Sequence, residues 1–341
     1  MQAAHAEEKP RLNIRQLLGP LAAVPGVYWA LVVLLILLGI QSPRSVEPTF
    51  LLDFTRQAAA LGIVAIGQTV VMIAGGLDLS VGAIVILVDV VAAQMINNDP
   101  GLIVPVVLLC LALGVLIGGI NGLVVTRLRV APFIATLGMS SVVLGAALVF
   151  SQGAPRGGIP QEMRIWATGF FNLWSAEWFG AIPRAAVVWA VFTVVMVLLL
   201  RRTIFGRYLY AVGANKVSAH VSGVRVQLIT WLSYVVSGVS AAIAGLVLAA
   251  YIGVGTLKLG DDYMLNSIAA AVLGGTPFEG GRGSIIGTVG GALFLYVLFS
   301  LLAVLELPFV GKLPHGGRLI AQGVIFIVAV ALYARSRRRA S

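Results

Sequence analysis

The sequence predicts an all-α membrane protein: a polytopic bundle of about ten transmembrane helices with two Gly-rich turns on the cytoplasmic side. Three observations predict it. The 341 residues are 59% hydrophobic and 11% charged, with a mean hydropathy of +1.01, so there are too few charges to cover a soluble globule of this size. Apolar runs long enough to span a bilayer recur along the whole chain. Two glycine-rich segments, Gly75 to Gly82 and Gly274 to Gly283, interrupt such runs, one in each half. That is the pattern of transporters built from repeated helical units.

Taken in order, residues 1–20 form a basic, polar cytoplasmic segment with Lys9, Arg11 and Arg15. A secretory signal starts the same way, but Ile40-Gln41-Ser42-Pro43 offers no small-x-small cleavage site, so a retained first helix is expected. The spans are expected at 21–40, 57–74, 79–96, 102–125, 131–150, 184–200, 226–250, 263–278, 284–304 and 318–334, within a transmembrane domain over 21–336. A basic tail, 337–341, follows. An even number of crossings puts both termini on one side. Of the 23 Lys and Arg residues, 15 then fall on the terminus side and 8 on the other. The richer side should be cytoplasmic, with both glycine-rich turns facing it. The formal charge of +10 therefore reads as a topology signal, with no continuous basic face for nucleic acid, and the lipid bilayer is the expected surrounding of the spans.

The first glycine-rich segment reads Gly75-Gly76-Leu77-Asp78-Leu79-Ser80-Val81-Gly82. Its glycines admit unusual backbone angles, and Asp78 and Ser80 can cap a helix that begins near Leu79. Small residues recur at four-residue spacing at Cys110, Gly114, Gly118 and Gly122, and again at Gly283, Gly287 and Gly291. Such stripes let helix backbones approach closely. The lone cysteine, Cys110, excludes a disulfide framework within the chain and reads as a packing residue. The external segment 151–183 carries Trp166, Phe170, Phe171, Trp174, Trp178 and Phe179, which suggests a short helix at the membrane surface. The cytoplasmic link 201–225 mixes Tyr208, Leu209, Tyr210 and Val212 with Gly206, Arg207, Gly213, Asn215 and Gly223. It is too apolar for a solvated linker, and a short helix offered to a cytoplasmic partner fits better.

An Asp at the centre of a spanning helix costs about 2.5–3.5 kcal/mol on insertion scales and needs a partner or a wet path. Asp89 is such a residue, and it shares a helix face with Gly82, Ile86 and Ala93. Gln68, Asp89, Asn121, Thr136 and Asn266 are the candidate path residues, mostly uncharged groups that suit a neutral polyhydroxylated solute or interhelical hydrogen bonds. His5, His220 and His315 are scattered, and no metalloprotease, hydrolase or metal-cluster motif is present. No phosphate-binding loop is present either, so no catalytic residue, metal site or cofactor is expected on this chain. If nucleotide energy drives the protein, another subunit binds the ATP and Mg.

Four blocks carry a resemblance to a known family: Gly75 to Gly82; Asn121-Gly122 with Pro132-Phe133-Ile134-Ala135-Thr136-Leu137-Gly138; Phe205-Gly206-Arg207 through Val212-Gly213-Ala214-Asn215; and Ile268 to Gly275 leading to Gly280-Gly281-Arg282-Gly283-Ser284. In this order they resemble the membrane permease subunits of ATP-binding-cassette sugar importers of the ribose, xylose, arabinose and galactose group. The resemblance implies a bacterial inner-membrane importer with two permease subunits, as a homodimer, a cytoplasmic ATPase and a periplasmic sugar-binding protein. It also implies that Gly206 to Gly223 is the segment that couples to the ATPase. Where the family commonly has acidic residues, this chain has Lys216-Val217-Ser218-Ala219-His220 after Asn215, and Met264 and Asn266 ahead of the Ile268 block. Permeases for branched-chain amino acids share the helix plan and remain the alternative, with a gradient-driven secondary transporter behind them. A membrane-embedded enzyme should show paired carboxylates or clustered histidines at one depth.

Overall fold

The computed structural model describes residues 25–172, 181–258, 260–307, 311–312, 314 and 316–325. Within them the chain is an all-α membrane protein in which six helices are long and apolar enough to cross a bilayer. The expected segments 1–20 and 337–341 lie outside the described residues.

Helix α1 (Gly26–Gln41) leads through a 3-10 turn (Pro43–Val46) into α2 (Pro48–Ile73). α3 (Val81–Ile96) follows the first glycine-rich turn. α4 (Ile103–Thr126) and α5 (Pro132–Ser151) form the next pair. A short helix α6 (Gln161–Thr168) precedes strands β1 (Phe170–Asn172) and β2 (Ala181–Pro183). α7 (Arg184–Arg202) spans back to two short helices, α8 (Ile204–Ala214) and α9 (Lys216–Val221). α10 (Val226–Ile252), α11 (Gly260–Leu273) and α12 (Ile285–Val304) complete the bundle, followed by a two-residue strand pair and helix over 316–325.

Burial sorts these helices. The apolar stretch of α2 is 89% buried, against 17% for α5 and 22% for α7, so α2 is the axis and α5 and α7 lie at the periphery of the bundle. α10 packs most extensively on α4, α2 and α3, and α12 packs on α1, α2 and α11. The small-residue stripe of α4 explains the α4–α10 contact. A Cβ on Gly114 would sit 2.6 Å from the Gly238 carbonyl oxygen, Gly118 abuts the Tyr234 backbone, and Gly122 abuts Trp231. Without side chains there, backbones meet directly, which in lipid replaces hydrophobic burial as the packing force. Gly287 and Gly291 do the same against Gly274 and Ala270, locking α12 to α11. Cys110 is buried, with its Sγ 3.9 Å from the Val88 carbonyl oxygen.

Several expectations are corrected. α3 starts at Val81, two residues later than expected, and Ser80 makes no side-chain cap to it. The span expected at 263–278 begins at Gly260 and stops at Leu273. The final span is helical over 316–325, and the rest of 318–334 lies outside the described residues. Among the described residues, the aromatic part of the segment 151–183 is helical at α6, while Phe170 and Phe171 belong to an antiparallel strand pair in which Phe170 pairs with Pro183 and Phe171 with Ile182. Trp174, Trp178 and Phe179 lie outside the described residues. Arg184 stacks over Phe171 at 4.7 Å and Trp166 at 5.6 Å, and Arg56 over Phe170 at 6.0 Å and Tyr251 at 5.3 Å, pinning the strand pair to α6, α7, α2 and α10. The link 201–225 forms two helices in place of one. They divide at Asn215, whose side chain accepts from Ser218 N at 2.9 Å and so caps α9.

Candidate functional site

The two glycine-rich turns share one geometry. At the end of α2, Gly75 N donates to Met72 O at 2.9 Å and Gly76 N to Val71 O at 3.0 Å, with Gly75 at φ +76°. At the end of α11, Gly275 N donates to Val272 O at 2.9 Å and Thr276 N to Ala271 O at 3.0 Å, with Gly275 at φ +94°. Each pair of bonds is a Schellman motif with glycine in the left-handed position, where any L side chain would be strained. Two helices nearly 200 residues apart in sequence therefore end in the same cap.

These caps meet. Gly281 N donates to the Ile73 carbonyl at 2.9 Å, and a Cβ on Gly280 would lie 2.8 Å from the Gly75 nitrogen. α8 closes over the meeting point. Gly213 has the Ile73 carbonyl and the Gly281 backbone where a Cβ would stand, and Ala214 lies against Gly281. Tyr210 Oη donates to the Gly283 carbonyl at 3.0 Å. Burial pushes the Tyr210 phenol up in pKa, partly opposed by the Arg201 charge, so the hydroxyl keeps the proton it donates. Leu209 is fully buried, whereas Tyr208 is 41% exposed. Of the three residues expected as anchors for a partner, two are turned into the protein and one faces out. Gly206 packs on the Leu200 backbone, Arg207 and Asn215 are exposed, and Gly223, at φ +82°, turns the chain into α10 over open space.

Behind the first turn lies a buried polar chain. Asp78 Oδ1 accepts from Ser80 N at 3.0 Å and Ser80 Oγ at 2.6 Å, so the aspartate folds over its own turn and does not cap α3. Asn121 Nδ2 donates to Ser80 Oγ at 2.8 Å, and Thr136 Oγ1 accepts from Leu79 N at 3.0 Å. The turn is thus tied to α4 and α5 by the two candidate residues those helices supply. On the other flank Tyr234 Oη donates to Leu77 O at 3.4 Å, and Ser237 faces Asp78 without closing a hydrogen bond. Gly82 admits the backbone of Gly260, the first residue of α11.

The remaining candidates lie elsewhere. Asp89 is 1% exposed on the face it shares with Gly82, Ile86 and Ala93, all buried as expected, and its Oδ2 accepts from Thr256 N at 2.7 Å. Gln68 is fully buried in α2, and its amide has no hydrogen-bond partner among the described residues. Asn266 is half-buried and accepts from Gln322 Nε2 at 3.1 Å. Sequence reading missed Thr256, whose loop follows a glycine in the left-handed region, Gly253. It also missed Thr288, whose hydroxyl lies 2.6 Å from that of Thr69 and joins α12 to α2. Among the described residues no cluster of His, Cys, Asp and Glu could hold a metal.

The end of α2, the second glycine-rich turn and the short helix α8 thus share one backbone junction. Residues 50–330 match the family model described as branched-chain amino acid transport system / permease component. This chain belongs to that permease family. It is 35% identical over 309 residues to the ribose import permease protein RbsC of Bacillus subtilis (strain 168), covering 90% of this chain and 91% of that one. Against the galactose/methyl galactoside import permease protein MglC of Escherichia coli (strain K12) the identity is 34% over 334 residues, 92% and 95% of the two chains. RbsC of the same E. coli strain is 34% identical over 272 residues, 78% and 81% of the chains. No solved structure matches the chain. In this permease the candidate coupling segment and both glycine-rich motifs form one contact, while Asp89, Gln68 and Asn266 are separate from it.

Proposed function

We propose that the chain is the membrane subunit of an ATP-binding-cassette importer and forms the path for a neutral monosaccharide of the ribose or galactose kind. The observation that carries this reading is the end-to-end likeness to ribose and galactose import permeases, 34–35% identical over nine-tenths of the chain for two of them. The full proposal is a ten-span subunit of the bacterial inner membrane with both termini and both glycine-rich turns cytoplasmic, paired with a second copy. A cytoplasmic ATPase binds and hydrolyses MgATP, and a periplasmic binding protein delivers the sugar. α8, with Gly206, Arg207, Tyr208, Leu209 and Gly213, takes up the ATPase motion and passes it to the end of α2 and the second glycine-rich turn. A coupling free energy needs a physical connection, and the hydrogen bonds from Gly281 to Ile73 and from Tyr210 to Gly283 supply one.

The test is uptake by proteoliposomes that contain the permease with its ATPase and binding protein. Labelled ribose or galactose should accumulate only with MgATP inside. Uptake that survives without nucleotide and collapses with an ionophore would make the protein a secondary transporter. ATP-dependent uptake of leucine with no sugar uptake would favour the amino-acid reading suggested by the description of the family model.

A further inference from the structure

A groove of about 760 Å³ opens where α4 ends, α9 passes and α10 begins. Arg127, Lys216 and Arg225 line it together with Leu123, Leu228 and Trp231, and no acidic residue does. Among the described residues none of these cations is in a salt bridge; the pair that forms is Arg56 with Asp53. The apolar members are not core. Leu123 is 47% exposed and Leu228 43%. Trp231 is held in place by its indole N–H, which donates to Gly119 O at 2.9 Å.

Depth separates the two kinds of lining. Arg127 directly follows the α4 span and Arg225 directly precedes the α10 span, so the cations stand at the level where headgroups lie. Leu123, Leu228 and Trp231 are three to six residues further in, one to two turns along their helices, at the level of acyl chains. We infer that this groove binds an anionic phospholipid, with the phosphate among Arg127, Lys216 and Arg225 and the chains against Leu123, Leu228 and Trp231. A free anion would use only the rim. A soluble protein would leave the inner wall to lipid in any case. Only an anionic amphiphile matches both halves of the groove. The inference needs a membrane but not the sugar, so it stands or falls separately from the transport reading.

The test titrates the full-length protein in mild detergent with phosphatidylglycerol or phosphatidylcholine of equal chain length and counts lipid adducts by native mass spectrometry. Phosphatidylglycerol should be preferred at least about tenfold. The preference should fall close to one in Arg127→Gln/Arg225→Gln and persist in Arg201→Gln/Arg202→Gln, which removes the same charge at the end of α7. Arg127→Lys/Arg225→Lys, which keeps the charge, should retain most of the preference and shows that a loss in the Gln pair is not misfolding. Equal loss in the two Gln pairs would mean general charge and overturn the site. Displacement of phosphatidylglycerol by millimolar inorganic phosphate would make it a free-anion site and overturn the lipid assignment. An unchanged preference with reduced ATPase recovery in Arg127→Gln/Arg225→Gln alone would make it a protein contact and overturn it as well.

Discussion

Gly213, one residue before the end of α8, lies directly against Gly281, whose amide donates to the Ile73 carbonyl at 2.9 Å. Three segments that are remote in sequence, the ends of α2 and α8 and the second glycine-rich turn, thus share one backbone contact. A side chain at position 213 would enter this contact and would not reach an outside partner.

Gly213→Ala is therefore expected to destabilise the junction by about 1–3 kcal/mol, because the added methyl meets backbone that cannot rotate away. The melting temperature of the purified protein should drop and uptake should fall with it. Wild-type stability with normal uptake would show that α8 can lift off the turns at no cost.

Tyr208 tests the opposite face. It is 41% exposed beside the fully buried Leu209, so Tyr208→Asp should leave abundance and melting temperature within about 0.5 kcal/mol of wild type. Recovery of the ATPase with the tagged permease should fall several-fold. Normal recovery would move the docking surface away from α8.

Asp89 accepts from the Thr256 amide at 2.7 Å and so fixes the loop between α10 and α11. Asp89→Asn keeps an acceptor there and should transport. Asp89→Leu leaves the amide unpaired, a loss of about 1–3 kcal/mol, and should lower both stability and uptake. Equal uptake by the two variants at equal membrane abundance would mean that this bond does not matter for transport.

Orientation is read by single cysteines in a Cys110→Ala background. Gln161 begins α6 and Ser218 lies in α9, and both are exposed. An impermeant thiol reagent added to intact cells should label Gln161→Cys and spare Ser218→Cys. Labelling of position 218 from outside would invert the orientation.

The sequence by itself determined the class. Its apolar runs, scarce charges and the stripe Cys110, Gly114, Gly118, Gly122 reflect local requirements: length to cross hydrocarbon, and small residues wherever a backbone must approach another. Asp89 could be assigned a buried face for the same reason, since helical spacing places it with Gly82, Ile86 and Ala93. Local pattern could not show which backbone each stripe would meet. Only the tertiary structure put the end of α2 and Gly281 under Gly213, turned Leu209 and Tyr210 inward and left Tyr208 outside, because α8 is amphipathic against a surface assembled from residues about 70 and about 140 positions away. The role of Asp78 was decided there too. As an isolated tetrapeptide it caps α3 plausibly, but with Asn121 and Thr136 supplied by α4 and α5, the turn closes on itself and the helix starts two residues later. Capping competes with every other acceptor a fold brings within reach, and those neighbours lie outside any local window.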